Sequence, residues 1–263
     1  MARFCPLCSS SEGNSIYIGT TSEGILIDAG TNCKQLTAML SQVGIAPESI
    51  KAIFITHEHT DHIGALRVFA SKYHTRVFAS QGTLMGLELN GHTVGSFDCD
   101  IIDEKGISLD SMEVTAFHTS HDSRESLGFA VDTGDRRLAV ATDTGILTKE
   151  TIEGVTGCDL VLIESNHDLK MLENGPYPYD LKRRIKSELG HLSNADCAAF
   201  LPSLLQSGTT RFILGHLSRE NNLPEIAYNA ALAALCGTGA QEGKDFLLTV
   251  ARPRTTASGY LSF

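Results

Sequence analysis

The segment Thr56–His62 reads THEHTDH and directly follows the apolar run AIFIT. Two histidines spaced two apart, His57 and His59, can point to one side of a loop and clasp a borderline metal ion through imidazole nitrogens. Asp61 and His62 follow at once. A tight turn into a helix would aim this second pair at a neighbouring cation. Three histidines and an acid crowd one segment of a chain that holds ten histidines in all. A merely polar surface loop would not require that density.

Three further places repeat one pattern, in which an apolar strand ends on a ligand-type residue. Asp28 ends GILID, Asp143 ends LAVATD and His216 ends RFILGH. A carboxylate such as Asp143 can bridge two cations, because each oxygen can coordinate one. In HTSHD, His121 lies just past another strand, and His118 competes with it at that strand's end. Spacing alone does not separate these two.

Something must hold those strand ends together. Short β-type runs alternate with helical ones along the chain: NSIYIG and GILIDAG pair, Lys34–Val43 has helical spacing, and Gly44 sits where a C-terminal cap would. The runs Ile107–Leu109, Met112–His118 and Leu127–Thr133 read as antiparallel strands, with TGDR turning into RLAVATDT. Helices flank Gly190–Ser193, Pro224–Leu235 is a helix and Asp245–Ala251 a last strand. No linker or low-complexity segment intervenes, so a single domain over 1–263 with sheets inside and helices outside is expected. Too many strands are joined by short turns for one doubly wound parallel sheet.

The order HxHxDH after a strand, an earlier Asp, then His, Asp and His at strand ends resembles the metallo-β-lactamase superfamily over essentially the whole chain. The resemblance implies an α/β (α+β) fold, the four-layer αββα metallo-β-lactamase sandwich, with two divalent metal ions (Zn, Mn or Fe) at one edge. It implies His57, His59 and His121 on one metal, Asp61, His62 and His216 on the other, and Asp143 between them. Asp28 would orient the loop through hydrogen bonds. His121 is preferred over His118 because the family's third motif has Gly and an aromatic about seven residues on, here Gly128-Phe129.

Such a centre hydrolyses whatever electrophile its pocket admits, so substrate class rests on other residues. GHLS occurs at Gly190–Ser193 and again at Gly215–Ser218. The second copy carries His216. In the first, His191 reads equally as a polar residue in a helix–helix turn, with Gly190 as C-cap and Ser193 as N-cap. Glu164 in IESNHD followed by GHLSNADCA resembles the phosphodiesterase branch of the superfamily, where a Glu–His pair protonates the leaving oxygen. Asp61, Glu164 and His191 would then be the catalytic residues. The segments CSSSEGNSIYI, TDTG, ESNHD, YPYDLKRRIKSELGHLSN and ILGHLSRENN resemble the YycJ/WalJ family of 5′-to-3′ DNA exonucleases. That resemblance implies a nucleic-acid partner, DNA ends carrying a 5′ phosphate, bound locally. The alternatives are a small-molecule hydrolase of thioesterase or lactonase type, or an RNA-processing endonuclease. Only 72 residues separate Asp143 from His216, too few for the inserted β-CASP domain of RNA-processing relatives.

A formal charge of −10 argues against coating nucleic acid with the whole surface, but not against a local grip. The basic run Lys182, Arg183, Arg184 and Lys186, placed just before His191, offers backbone-phosphate contacts or simply a solvated helix face. Ser218 and Asn221, in the loop after His216, join it as candidate substrate contacts. Ser9–Ser15 is small and polar enough to approach a phosphate through backbone N–H groups, or to be an ordinary hairpin loop. His167 and Asp168 read as pocket lining or as solvated loop. Cys5 and Cys8 form a lone CxxC at the start of an apparent edge strand, and the seven scattered cysteines read as reduced thiols. With no apolar run long enough for a membrane span and no signal-peptide pattern, the cytoplasm is the expected compartment.

Overall fold

The computed structural model describes residues 1–92, 97–103 and 105–255, and the backbone of 261–262. Its strands are β1 (Arg3–Ser10), β2 (Gly13–Gly19), β3 (Gly24–Ile27), β4 (Ile50–Phe54), β5 (Arg76–Ala79), β6 (Cys99–Ile101), β7 (Ile107–Ser108), β8 (Glu113–His118), β9 (Leu127–Asp132), β10 (Arg137–Ala141), β11 (Leu160–Glu164), β12 (Arg211–Gly215), β13 (Leu247–Val250) and β14 (Leu261–Ser262). The helices are α1 (Cys33–Gln42), α2 (Thr60–Ile63), α3 (Leu66–Tyr73), α4 (Gln81–Leu89), α5 (Lys149–Val155), α6 (Leu169–Asn174), α7 (Tyr179–Ile185), α8 (Asn194–Gln206) and α9 (Pro224–Cys236).

Alternation of side chains along each strand sorts these elements into layers. Ile25 and Ile27 of β3 point inward with Leu138 and Val140 of β10, Leu160 and Leu162 of β11 and Ile213 of β12, building a core between two sheets. The residues between them face outward. Leu26 and Ile53 pack under Leu36 and Leu40 of α1 and Phe69 of α3. Ala139, Val161 and Phe212 pack under Leu201 and Leu204 of α8 and Ala227 and Leu235 of α9. Strands buried on both faces read as unbroken apolar runs, which is why AIFI, LVLI and RFIL stand out in the sequence. The layers run helix, sheet, sheet, helix, matching the expected sandwich.

Among the described residues each sheet has seven strands, ordered β14-β1-β2-β3-β4-β5-β6 and β13-β12-β11-β10-β9-β8-β7. In the first, β3 to β6 run parallel and β1 to β3 antiparallel; in the second, β10 to β13 run parallel and β7 to β10 antiparallel. Parallel strands share one carboxyl-terminal edge, so the loops after β3, β4, β10, β11 and β12 emerge side by side. The β1–β2 turn opens at that same edge.

Several local expectations change. β1 is not an edge strand, because β14 flanks it opposite β2. A register shift between Pro6 and Cys8 turns Cys8 to the face that Cys5 and Leu7 already occupy, and all three lie in the outer core. The CxxC is packing material. Ser9–Ser15 is mostly strand, with only Ser11 and Glu12 between β1 and β2. Helix α7 ends at Ile185, well before Gly190, so Gly190 caps nothing. It presses on the helix end instead, where a Cβ would stand 2.2 Å from the Ile185 carbonyl oxygen. The strand β6 and the helix α6 had no signature of their own: β6 is three residues long, and α6 is one short turn and a half opened by an Asp168 cap.

Candidate metal centre

Seven side chains from four loops meet at the shared edge. His57, His59, Asp61 and His62 come from the loop and first turn after β4, His121 from the loop after β8, Asp143 from just beyond β10 and His216 from the residue after β12. Potential ligand atoms of His57, His59 and His121 lie within 4.8 Å of one another, as do those of Asp61, His62 and His216. Asp143 adjoins both sets. One carboxylate oxygen is 3.3 Å from His62 Nε2 and the other 3.8 Å from His121 Nε2.

The backbone is contorted to achieve this. Asp28, Asp143 and His216 adopt left-handed conformations with φ of 62°, 55° and 54°, each within two residues of the end of a strand. That region is uncommon for residues other than glycine and costs on the order of 1 kcal/mol or more, a strain that concentrates at functional sites. Glycine supplies the remaining close approach. A Cβ on Gly30 would fall 1.6 Å from the Asp61 carbonyl oxygen.

Buried partners fix the rings. Asp28 Oδ2 lies 2.7 Å from His62 Nδ1, while Asp28 Oδ1 accepts from the Thr56 backbone N–H at 2.8 Å. Asp28 thereby ties the His62 ring to the backbone of the loop. Burial alone would depress His62 and His216, yet Asp143 and the neighbouring carboxylates raise both well above the ordinary histidine range. For His57 burial and the surrounding histidines act together, and it is held well below that range.

The fit to a metal ion rests on the polar atoms left over. His57 Nε2, His216 Nε2 and Asp143 Oδ2 are buried without a hydrogen-bond partner. Leaving such atoms unmet costs about 1–3 kcal/mol each. Imidazole nitrogens and carboxylate oxygens converging at this spacing are what a divalent cation takes up.

Glu164, at the end of β11, is fully buried. Its Oε1 lies 2.8 Å from His191 Nδ1 and 2.7 Å from His216 Nδ1, while Oε2 accepts from the backbone N–H groups of Thr144 and Leu192. Burial would raise this carboxyl, but the charge of His191 and the hydrogen bonds from both histidines outweigh it and hold it below its ordinary value. One carboxylate thus orients both His191 and a member of the ligand cluster.

A cavity of about 230 Å³ opens over the cluster, with His191, Arg184, Tyr177 and Ser218 on its walls. The basic run divides. Only Arg184 reaches this cavity, where its guanidinium pairs with Asp122, whereas Lys182, Arg183 and Lys186 line a separate surface hollow. There Lys182 donates to the Glu173 and Gly175 carbonyls, Arg183 pairs with Asp180 and Lys186 with Glu173. Helical spacing splays successive side chains around α7, so four neighbours cannot share one face. Asn221 lies buried behind Ser218, receiving at its carbonyl the N–H of Asp168. His118 is exposed and outside the cluster, and Asp168 caps α6. His167 is buried away from the cavity with both ring nitrogens unpartnered.

Three further side chains support the cluster without any motif in the sequence to mark them. Asn14 Nδ2 lies 3.3 Å from Asp61 Oδ2, and Ser9 Oγ accepts the His216 N–H at 2.8 Å. Glu58 Oε1 accepts the Arg124 N–H in the loop of His121. Only the polarity of Ser9–Ser15 hinted at the first two.

A profile of the β-lactamase superfamily domain matches residues 24–217. The chain is 35% identical over 249 residues to exodeoxyribonuclease YycJ of Bacillus anthracis, covering 92% of each. It is 35% identical over 257 residues to exodeoxyribonuclease WalJ of Streptococcus pneumoniae, covering 96% of this chain and 95% of that one. Among solved structures, the metallo-β-lactamase fold protein YhfI of Bacillus subtilis superposes with a TM-score of 0.73 at 12% identity, over 97% of this chain and 98% of its own. Zinc-bound PqqB of Methylobacterium extorquens gives 0.71 at 16%, over 99% and 100%. At these identities the structural likeness concerns the fold alone. Profile, relatives and the buried His/Asp cluster agree that the chain belongs to the metallo-β-lactamase superfamily, in its YycJ/WalJ family, and is a metal-dependent hydrolase.

Proposed function

We propose that the chain is a dinuclear phosphodiesterase, a nuclease that removes nucleotides from DNA ends in the 5′-to-3′ direction. His57, His59 and His121 would hold one divalent ion, Asp61, His62 and His216 the other, and Asp143 both. Two such ions supply a water acidified toward ~7 and charge neutralisation for phosphoryl oxygens.

The observation that carries the reading is the Glu164–His191 pair at 2.8 Å, beside the cluster and open to its cavity. Expelling an alkoxide from a phosphodiester requires a proton at the leaving oxygen. With Nδ1 engaged by Glu164, His191 keeps Nε2 for the substrate side. The buried carboxylate fixes the orientation of the ring. Thioester and lactam hydrolysis needs such an acid less. The relatives named exodeoxyribonuclease support DNA as the substrate.

The test is purified protein with Mn²⁺ or Zn²⁺ against 5′-phosphorylated duplex DNA, single-stranded DNA, RNA and bis(p-nitrophenyl) phosphate, with Asp61→Ala as control. His191→Ala should lower turnover on DNA by roughly 10²–10⁴-fold while bound metal, measured by elemental analysis, stays unchanged. Loss of metal in that variant would refute the acid assignment.

A further inference from the structure

The wall that closes one side of the metal cavity also closes a second cavity, of about 400 Å³. Ser11 and Ser218 face the metal side, while their chain neighbours Ser10, Glu12 and Arg219 face the other. Here the β1–β2 hairpin packs on the loop after β3. Gly30 donates to the Asn14 carbonyl at 2.8 Å, and a Cβ on Gly13 would stand 3.3 Å from the Gly30 oxygen.

Arg219 and Arg254 both line the second cavity, together with Glu12, Ser10, Gly13 and Thr31. Arg254 is carried there by a strap between the sheets. Ala251 N–H bonds to the Leu214 carbonyl at one end, and Thr255 N–H to the Leu7 carbonyl at the other, both at 2.8 Å. In a chain of formal charge −10, two arginines converging on one hollow beside the metal cluster form a local positive site. Arg254 makes a 3.5 Å contact with Gln35 Oε1. Arg219 pairs with Glu12 across the rim, and both side chains are more than half exposed. A pair this exposed is weak, so an anion bearing more than one charge can take its place. Planar guanidinium forks match phosphate oxygens two at a time.

We propose that the Arg219–Arg254 cavity is a phosphate subsite, holding a phosphate of the nucleic-acid strand next to the one presented to the metal cluster. The proposal rests on the nuclease reading for its ligand, and on the cavity for its position. Glu12 sets its affinity by competing for Arg219.

The experiment measures binding of 5′-phosphorylated and 5′-hydroxyl oligonucleotides by fluorescence anisotropy, using metal-loaded full-length protein carrying His191→Ala to stop turnover. Adding Arg254→Ala should weaken binding about tenfold and lower the slope of log affinity against log salt by about 0.7–0.9, the share of one phosphate contact. Glu12→Gln should tighten binding. These opposite signs are what a merely structural role would not produce. A defect seen only with the 5′-phosphorylated strand assigns the terminal phosphate to the cavity; a defect with both strands assigns an internal one. Unchanged binding in Arg254→Ala, or both variants moving the same way, overturns the subsite. Bis(p-nitrophenyl) phosphate hydrolysis by the wild-type chain reports on the metal cluster. DNA cleavage by the wild-type chain is scored separately. Hydrolysis of the small diester without DNA cleavage sinks the exonuclease reading alone, and absence of binding to either strand sinks both.

Discussion

Glu164 is the residue on which two jobs converge, because one oxygen serves both His191 and His216. Glu164→Gln would leave a single carbonyl for two imidazoles and turn amide hydrogens toward the Thr144 and Leu192 N–H groups. Each unmet buried group costs about 1–3 kcal/mol. Glu164→Gln should therefore lose both turnover and part of its metal, in contrast to His191→Ala, and elemental analysis of the two variants side by side checks this. His167 makes a separate prediction. Burial holds its pKa down at about 4, so it is neutral in the fold, whereas the unfolded chain takes up the proton near 6.5. The unfolded state then binds more protons below that point, and stability falls as pH drops from about 6.5 toward 4. His167→Gln should flatten that part of the stability–pH curve, measured by urea denaturation. The cysteines are legible at this scale too. Burial pushes Cys5 up to about 11 and Cys197 up to about 12, which fits thiols that pack rather than react.

At the scale of elements, the loop carrying His121 is held mainly from outside itself. Ser80 and Thr83, at the start of α4, both donate to the Glu125 carbonyl, the Glu125 side chain accepts from Gly82 N–H, and Glu58 accepts from Arg124 N–H at 3.0 Å. Gly86 leaves room for this, since a Cβ there would stand 2.7 Å from Glu58 Cγ. A residue between two metal-ligand candidates thus clamps the loop of a third. Supporting contacts of this kind are worth roughly 10–100-fold in metal affinity. Glu58→Ala should show that loss in a chelator competition assay, and Glu58→Gln, which keeps the acceptor, should recover most of it. The sequence displayed α4 as TLMGLEL but gave no sign that its first turn faces the His121 loop, because that contact joins positions more than forty residues apart.

At the scale of the whole molecule, the metal cluster bridges the two sheets. His62 and Asp28 belong to one and Asp143 and His216 to the other, and Ser9 Oγ crosses between them to His216 N–H. Metal binding should therefore stabilise the sandwich globally rather than one loop. A cation at a hundred times its dissociation constant adds about 2.7 kcal/mol. For a chain of this size, chelation should lower the melting temperature by roughly 5–10 °C, and scanning calorimetry with and without EDTA measures it. Among the described residues no helix is long and apolar enough to cross a membrane.

The sequence by itself determined the ligand types and most of the scaffold. Apolar runs ending on Asp28, Asp143 and His216 are local patterns, and THEHTDH packs four of the seven cluster residues into one loop. Buried strands announce themselves because both of their faces must be apolar. Tertiary structure decided everything that depends on which ends meet. It brought Glu164 to two histidines instead of one, separated Arg184 from its basic neighbours, folded the CxxC into the core through a bulge, and set Arg254 beside Arg219 across the strap from β13. Hydrogen bonds and ion pairs between distant loops leave no periodicity in the chain. They arise only when parallel strands of two sheets deliver their carboxyl ends to one edge.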